Sequence, residues 1–230
     1  MSQVEKNALE RQSNAVKASD SERCLFFPPN ISRIMRTDPK LIGFIAARHK
    51  LVSKIFQGQR VLEVGCQEGF GTLFVAPYVK EIICVDFFPP FIDWFNNNTA
   101  INLPNATAFV GDICKEPIGG DFDGAFALDV LEHIDSSQES AFWRNISSSI
   151  HLDGVVVIGM PSIESQVYAS EASKIGHVNC KNGDQLKKEA LRYFKHVLLL
   201  SMNDEMLHNG FVPMSHYIIV ICSGKRLCTG

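Results

Sequence analysis

The sequence predicts an α/β fold: a doubly wound, mostly parallel sheet closed at one edge by antiparallel strands. Three observations predict it. Apolar, β-branched runs recur at 60–66, 81–87, 107–113, 122–128 and 154–160, with helical patterns between them at 71–80, 90–101 and 136–150. Alternation of this kind builds a parallel sheet with helices on both faces. The first run, Val61-Leu62-Glu63-Val64, stops at Gly65-Cys66-Gln67-Glu68-Gly69-Phe70-Gly71, so strand passes to helix through a tight loop whose backbone can approach a ligand. Beyond Pro161 the pattern changes: a loop-rich stretch leads to a helix at 184–192 and two strand-like runs, Phe194–Met202 and His216–Cys222. A hairpin there completes a sheet of seven strands.

Bulk composition narrows the function classes. A chain of 230 residues reads as one domain with a substantial core. It is 46% hydrophobic and 20% charged, with a formal charge of -3 from 22 basic and 25 acidic residues. That balance gives no electrostatic case for nucleic acid or an anionic membrane. No apolar run approaches the ~20 residues of a membrane span, and Met1 to Lys17 has no apolar signal core. The cysteines, Cys24, Cys66, Cys84, Cys114, Cys180, Cys222 and Cys228, are odd in number and lack paired spacing. They read as reduced residues of a cytoplasmic protein rather than a disulfide or zinc framework.

Each element has its own signal. Residues 1–38 form an N-terminal extension, partly flexible and a candidate lid; 1–23 makes a short polar helix or stays disordered, and Phe26-Phe27-Pro28-Pro29 breaks it. The main domain spans 39–230. Its first helix starts at Asp38-Pro39, carries Leu41, Ile42, Phe44, Ile45, Leu51, Val52, Ile55 and Phe56 at helical spacing, and stops at Gly58.

Ligands of such sheets sit beyond the carboxyl ends of the strands, so those ends are read together. The first is the glycine loop, with Glu63 inside the strand; a buried carboxylate there requires a cationic or hydrogen-bonding partner. The second ends in Val85-Asp86, an acid about twenty residues past the loop, where both hydroxyls of a ribose can be accepted. The third closes on Gly111-Asp112-Ile113, a second acid placed for a purine amino group. The fourth, Phe122 to Asp129, leads into Val130-Leu131-Glu132-His133-Ile134. A lone acid at a strand end is usually a cap or turn; the run of them carries the argument.

On these residues the chain resembles the class I S-adenosylmethionine-dependent methyltransferases, small-molecule type. Val61 to Cys66 is similar to their first motif, Val85-Asp86 to the second, Gly111-Asp112-Ile113 to the third, and Leu128 to Ile134 to the segment after the fourth strand. The resemblance covers roughly 40–160 and implies a Rossmann-like seven-stranded fold with S-adenosyl-L-methionine as cofactor. It implies that Glu63 anchors the loop or reaches the methionine ammonium, and that Gly65 and Gly69, with Cys66 and Gln67 between them, give close approach. Asp86 then holds the ribose, Phe87 packs on adenine, Asp112 takes its amino group beside Ile113, and Leu128 lines the methionine side. Arg48 pairs with the cofactor carboxylate or lies on a solvated helix face. Gln67 departs from the family, which has a second glycine there; the loop keeps its turn if Gln67 stays at negative φ.

The tail also resembles a bacterial group of that superfamily associated with surface polysaccharides or secondary metabolites, on Pro161-Ser162, Tyr168-Ala169-Ser170, Gly176-His177-Val178-Asn179, Met202 to Glu205, His208 to Phe211 and Pro213 to Tyr217. It implies a small polar acceptor; the acceptor site is expected over the ends of the fourth and fifth strands, covered by the 161–183 insertion, and the histidines, with no nitrogen-methylating motif, favour a hydroxyl oxygen. His177 is the leading general base and His133 the second, because histidine titrates near neutral pH. Tyr168, Asn203, His208 and His216 are candidate acceptor contacts. No resident metal is expected, since Asp129, Glu132 and His133 lack a distinctive ligand spacing; a metal-assisted variant stays open on those three. A homodimer is possible. Two other readings remain: an NAD-type nucleotide-sugar oxidoreductase, disfavoured by Gly65-x-x-x-Gly69-x-Gly71 in place of Gly-x-Gly-x-x-Gly, and a non-catalytic cofactor-binding scaffold.

Overall fold

The computed structural model describes residues 27–226; the expected helix at 1–23, Cys24 and Cys228 lie outside them. The chain enters through helices α1 (Pro29–Thr37) and α2 (Lys40–Ile55). The central strand β1 (Arg60–Val64) then pairs in parallel with β2 (Glu81–Asp86) on one side and β4 (Phe122–Leu128) on the other. β3 (Ala106–Val110) flanks β2, and β5 (Ile150–Pro161) flanks β4, both parallel. The chain closes with β6 (Phe194–Asn203), β7 (Met206–His208) and β8 (Tyr217–Lys225).

The sheet order is β3-β2-β1-β4-β5-β8-β6-β7. β8 lies antiparallel between β5 and β6, so the last strand is inserted rather than added at the edge. Among the described residues the sheet has eight strands, not the expected seven. The extra one is β7, from the segment between the two strand-like runs of the tail. Asp204 takes a left-handed φ of 51° and turns Met206–His208 back onto Ser201–Asn203.

Both faces of the sheet are covered, which is why its strands are apolar runs rather than alternating ones. Leu62 and Val64 pack on one side with Phe142, Trp143 and Ile146 of α5 (Glu139–Ser149) and with Leu186 and Ala190 of α7 (Gly183–Ala190). Val61 packs on the other with Val52 and Phe56. Residues of alternate parity thus go to opposite faces. Each fully buried large apolar side chain contributes roughly 1.5–3 kcal/mol, so the two apolar layers hold the sheet between them and with it the strand that carries the glycine loop. α7 is started by a capping box between Asn182 and Gln185.

Expected boundaries mostly hold, with one informative shift. β3 stops at Val110 instead of 113, because Gly111 N–H donates to Asp86 O and the Asp112 carboxylate accepts the Cys114 N–H, bending the chain away. The 161–183 stretch holds a 3₁₀ turn at Ile163–Tyr168 and the short helix α6 (Glu171–Gly176). Among the described residues no helix is long and apolar enough to cross a membrane.

Candidate functional site

Two clefts meet over the carboxyl ends of the parallel strands, as expected for this sheet type. One, of about 360 Å³, is lined by Gly65, Gln67, Asp86, Phe87, Asp112 and Ile113, among others. The other, of about 320 Å³, runs under α1 and α2 and includes Arg48, Glu63, Cys66, Leu128, Glu132 and His177. Both share Val64, Gly65, Gln67, Asp129 and His133, so the glycine loop and the end of β4 form the seam between them. α1 belongs to the expected N-terminal extension; here it is an ordered wall of the second cleft, with Ile31 buried.

The loop's shape follows from backbone conformations that a β-carbon opposes. Gly65 has φ 76° and Gly69 φ 84°; a Cβ on Gly65 would meet Val130 Cγ2 at 2.4 Å, and one on Gly69 would meet the Phe95 ring at 2.4 Å. Gln67 corrects the expectation of a negative φ, since it sits at 48°. That conformation turns its N–H onto Asp86 Oδ2 at 3.0 Å and sends its exposed side chain outward, where Oε1 accepts from Asn30 Nδ2 at 3.3 Å. The third turn position therefore takes a left-handed conformation without a glycine, at the usual cost of a left-handed L-residue.

At the first cleft, Asp86 accepts a second N–H, from Phe88 at 2.9 Å. It is 5% exposed, and burial pushes its carboxyl above the usual range against those two donors. Phe87 is 72% exposed at the rim, and Ile113 is buried beneath. Asp112 carries Lys115 at 3.3 Å.

At the second cleft, Glu63 is 3% exposed and accepts from Thr72 Oγ1 at 2.6 Å and Cys84 Sγ at 3.5 Å. Burial raises its pKa to about 7, those two hydrogen bonds opposing the rise only in part. Among the described residues it has donors but no cationic partner. Arg48 is neither on a solvated face nor free. Its Nη1 donates to both oxygens of Asp129, at 2.9 and 2.8 Å, and its guanidinium stacks 3.5 Å over the Tyr217 ring. Burial is the largest influence and opposes the charge on Arg48, but Asp129, Tyr217 and Glu132 together raise its pKa above the ordinary value. Asp129 itself is held at φ 58°, its N–H on Gly159 O.

His133 and His177 come together although far apart in sequence, rings edge-to-face with centroids 5.1 Å apart. Backbone ties make the meeting: Val178 and Asn179 donate N–H bonds to the Glu132 carbonyl at 2.8 and 3.0 Å. Burial, then the neighbouring His133, lowers the His177 pKa, so its ring is neutral at pH 7. Glu132 beside them is 1% exposed, and burial with the Asp129 charge pushes its carboxyl well above the usual range.

The four expected acceptor contacts lie elsewhere. Tyr168 is 90% exposed. Asn203 and His208 bond each other at 2.7 Å in the β6–β7 hairpin, and Asn203 also donates to Met214 O. His216 accepts the Asp204 N–H and packs on Phe44. None of the four lines either cleft; the hydrogen bonds of the last three serve the hairpin. Residues the sequence reading missed are His49, Ile31 and Asn30, which line the second cleft. His49 was hidden as one apolar-face residue of a helix, where sequence spacing alone indicates only burial.

Residues 61–154 match the family model described as a methyltransferase domain. No curated protein matches the chain. Among solved structures, the chain is similar to a TehB-like SAM-dependent methyltransferase from Corynebacterium glutamicum, at 17% identity and TM-score 0.60, covering 96% of this chain and 97% of that one. It is similar to the N-methyltransferase NodS from Bradyrhizobium japonicum WM9 in complex with S-adenosyl-L-homocysteine, at 15% identity and TM-score 0.59, covering 83% and 90%. The CurJ carbon methyltransferase aligns at 15% identity and TM-score 0.60 over 84% of this chain and 61% of that one. At these identities the likeness is one of fold.

Proposed function

We infer that this chain, a class I S-adenosylmethionine-dependent methyltransferase, delivers its methyl group to a hydroxyl oxygen of a small polar acceptor, a sugar, phosphate-containing or other metabolite. One observation supports the reading above the rest: the two clefts meet at Gly65, Gln67, Asp129 and His133, with acids for an adenosine in one and His177 beside His133 in the other.

The residues present fit the cofactor. Asp86 and Asp112 stand in one cleft for the ribose and the adenine amino group, and Phe87 gives an exposed ring at its rim. Glu63 is a buried carboxylate without a cationic partner among the described residues, which an amino-acid ammonium would complete. Arg48 acts through Asp129, holding the end of β4 at the seam rather than taking a carboxylate directly. When bound, the cofactor supplies a methyl carbon made electrophilic by a sulfonium.

The chain's remaining work is alignment and proton removal. The acceptor enters under α1, and its hydroxyl loses its proton at the cluster led by His177, with His133 second. A neutral His177 suits that role. Oxygen is preferred because a hydroxyl needs this help, whereas the similar structures include nitrogen and carbon methyltransferases.

The test is incubation with methyl-labelled S-adenosylmethionine and separate pools of sugars, sugar phosphates, phenols and amines. Label on an oxygen supports the reading; label on nitrogen or carbon overturns the acceptor assignment and keeps the transferase. Calorimetry with adenosylhomocysteine and with NAD separates the remaining classes: binding of NAD alone points to an oxidoreductase, and adenosylhomocysteine binding without transfer to any pool points to a scaffold.

A further inference from the structure

The tail insertion brings His177 onto the segment after β4, so that a carboxylate oxygen of Glu132 and one ring nitrogen each of His133 and His177 all lie within 4.8 Å of one another. Both imidazoles are held in one tautomer. His133 Nδ1 lies 2.9 Å from the Gly176 carbonyl oxygen, an acceptor only, so Nδ1 carries the proton and Nε2 presents its lone pair. His177 Nδ1 lies 2.8 Å from Gln166 Oε1. The orientation of that amide is set by its other end, where Nε2 donates to the Ser162 carbonyl at 3.2 Å. His177 therefore also presents a bare Nε2.

Tying one ring nitrogen to a carbonyl-type oxygen fixes the tautomer and leaves the other as a ligand, the arrangement that orients metal-binding histidines. The independent observation is Glu132. It is 1% exposed, and its Oε2 has no hydrogen-bond partner among the described residues. The Arg48 guanidinium acts on it from a distance, but Nη1 of that group is given to Asp129. A buried carboxylate oxygen facing no donor is costly, and a divalent ion shared with two imidazoles removes the cost.

We propose that Glu132, His133 and His177 bind one divalent first-row transition ion, of the Mn²⁺, Co²⁺ or Zn²⁺ type, at the acceptor end of the second cleft. Two nitrogens and one oxygen suit such borderline ions and disfavour Ca²⁺ and Mg²⁺, which take oxygen sets. Three protein ligands leave positions open for the acceptor. This rests on the hydroxyl reading above and changes its proton acceptor: an ion held there would acidify a hydroxyl placed beside it, the proton would pass to water, and the imidazoles would serve as ligands in place of the base role given to them above. Gln166 is a positioning residue, acting through His177.

The test uses the full chain, stripped with a chelator, dialysed and titrated at pH 8 with MnCl₂ by calorimetry and electron paramagnetic resonance. The expected result is one ion per chain, bound at least 30-fold more weakly by Glu132→Gln and by His177→Asn, with the nitrogen hyperfine signal reduced from two imidazoles to one in the latter. Gln166→Leu should weaken binding about 10-fold with circular dichroism unchanged. His177→Asn is the safer variant, because that residue lies in a surface segment. Two results overturn the site: no saturation at one ion per chain below about 1 mM, or His177→Asn binding as tightly as the parent chain. Ion binding is read without any acceptor, so its failure leaves the methyl-transfer reading intact. Absence of transfer to every pool by the ion-loaded chain sinks that reading alone.

Discussion

Arg48 Nη1 donates to both carboxylate oxygens of Asp129, at 2.9 and 2.8 Å, across 81 residues of sequence. The pair joins α2 to the end of β4 at the seam between the two clefts. It sets a residue held at φ 58° against the stack on Tyr217. Removing one partner leaves the other charge poorly compensated. We expect Asp129→Asn to lose about 3 kcal/mol, the low end for a broken buried pair because Asp129 retains some exposure. That corresponds to a Tm roughly 6–10 °C lower for a chain of this size. Thermal unfolding checks it, and an unchanged Tm would show that the pair is not structural.

Glu63 makes stability and ligand affinity depend on pH in opposite directions. Its folded pKa of about 7 lies above the ordinary 4.5, so between those values the folded chain holds more protons than the unfolded one. Stability of the ligand-free chain therefore falls as pH rises through that window, by at most about 3 kcal/mol, and the full cost persists above pH 7. Affinity for adenosylhomocysteine should rise over the same approach to pH 7, because its ammonium favours the ionised carboxylate. Denaturant unfolding and calorimetry from pH 5 to 8 read both slopes. In Glu63→Gln both should disappear.

Gly65→Ala tests the glycine loop. The new methyl would face Val130 Cγ2 at 2.4 Å on a backbone of φ 76°, for a loss of roughly 2–4 kcal/mol from strain and overpacking. Adding Val130→Ala removes the obstructing atom but not the backbone strain. The double variant should recover part of the stability in denaturant titrations. Full recovery would show that φ carries no cost there.

Gln67→Gly should be neutral or stabilising. A left-handed glutamine costs ~1–2 kcal/mol and a glycine's extra chain entropy ~0.5–1 kcal/mol, so the net gain is about 0.5–1 kcal/mol. The Gln67 N–H to Asp86 survives in the variant because it is a backbone bond. Adenosylhomocysteine affinity should stay within about threefold of the parent's; a tenfold loss would give the Gln67 side chain a binding role.

The sequence by itself determined the alternation of strands and helices, the parallel sheet and the loop after β1, because each is written at short range. Apolar runs mark buried strands, and Gly65 and Gly69 mark backbone that no β-carbon permits. The acids at the strand ends were legible for the same reason: a parallel sheet brings the ends of β1 to β4 to one rim regardless of the rest. Only the tertiary structure decided what depends on long-range pairing. Asp204 and its left-handed turn made an eighth strand from residues too few and too polar to signal one. Arg48 found Asp129, which no local pattern couples to it. Gln67 took a positive φ because the N–H of that residue must reach Asp86, a constraint set by the neighbouring strand. Asn203 and His208 bonded each other instead of lining a cleft, since a hairpin satisfies polar groups before a ligand can. His177 reached His133 and Glu132 because the loop after α6 hangs from the Glu132 carbonyl. That contact is a matter of backbone hydrogen bonds between distant segments, and side-chain spacing along the chain carries no trace of it.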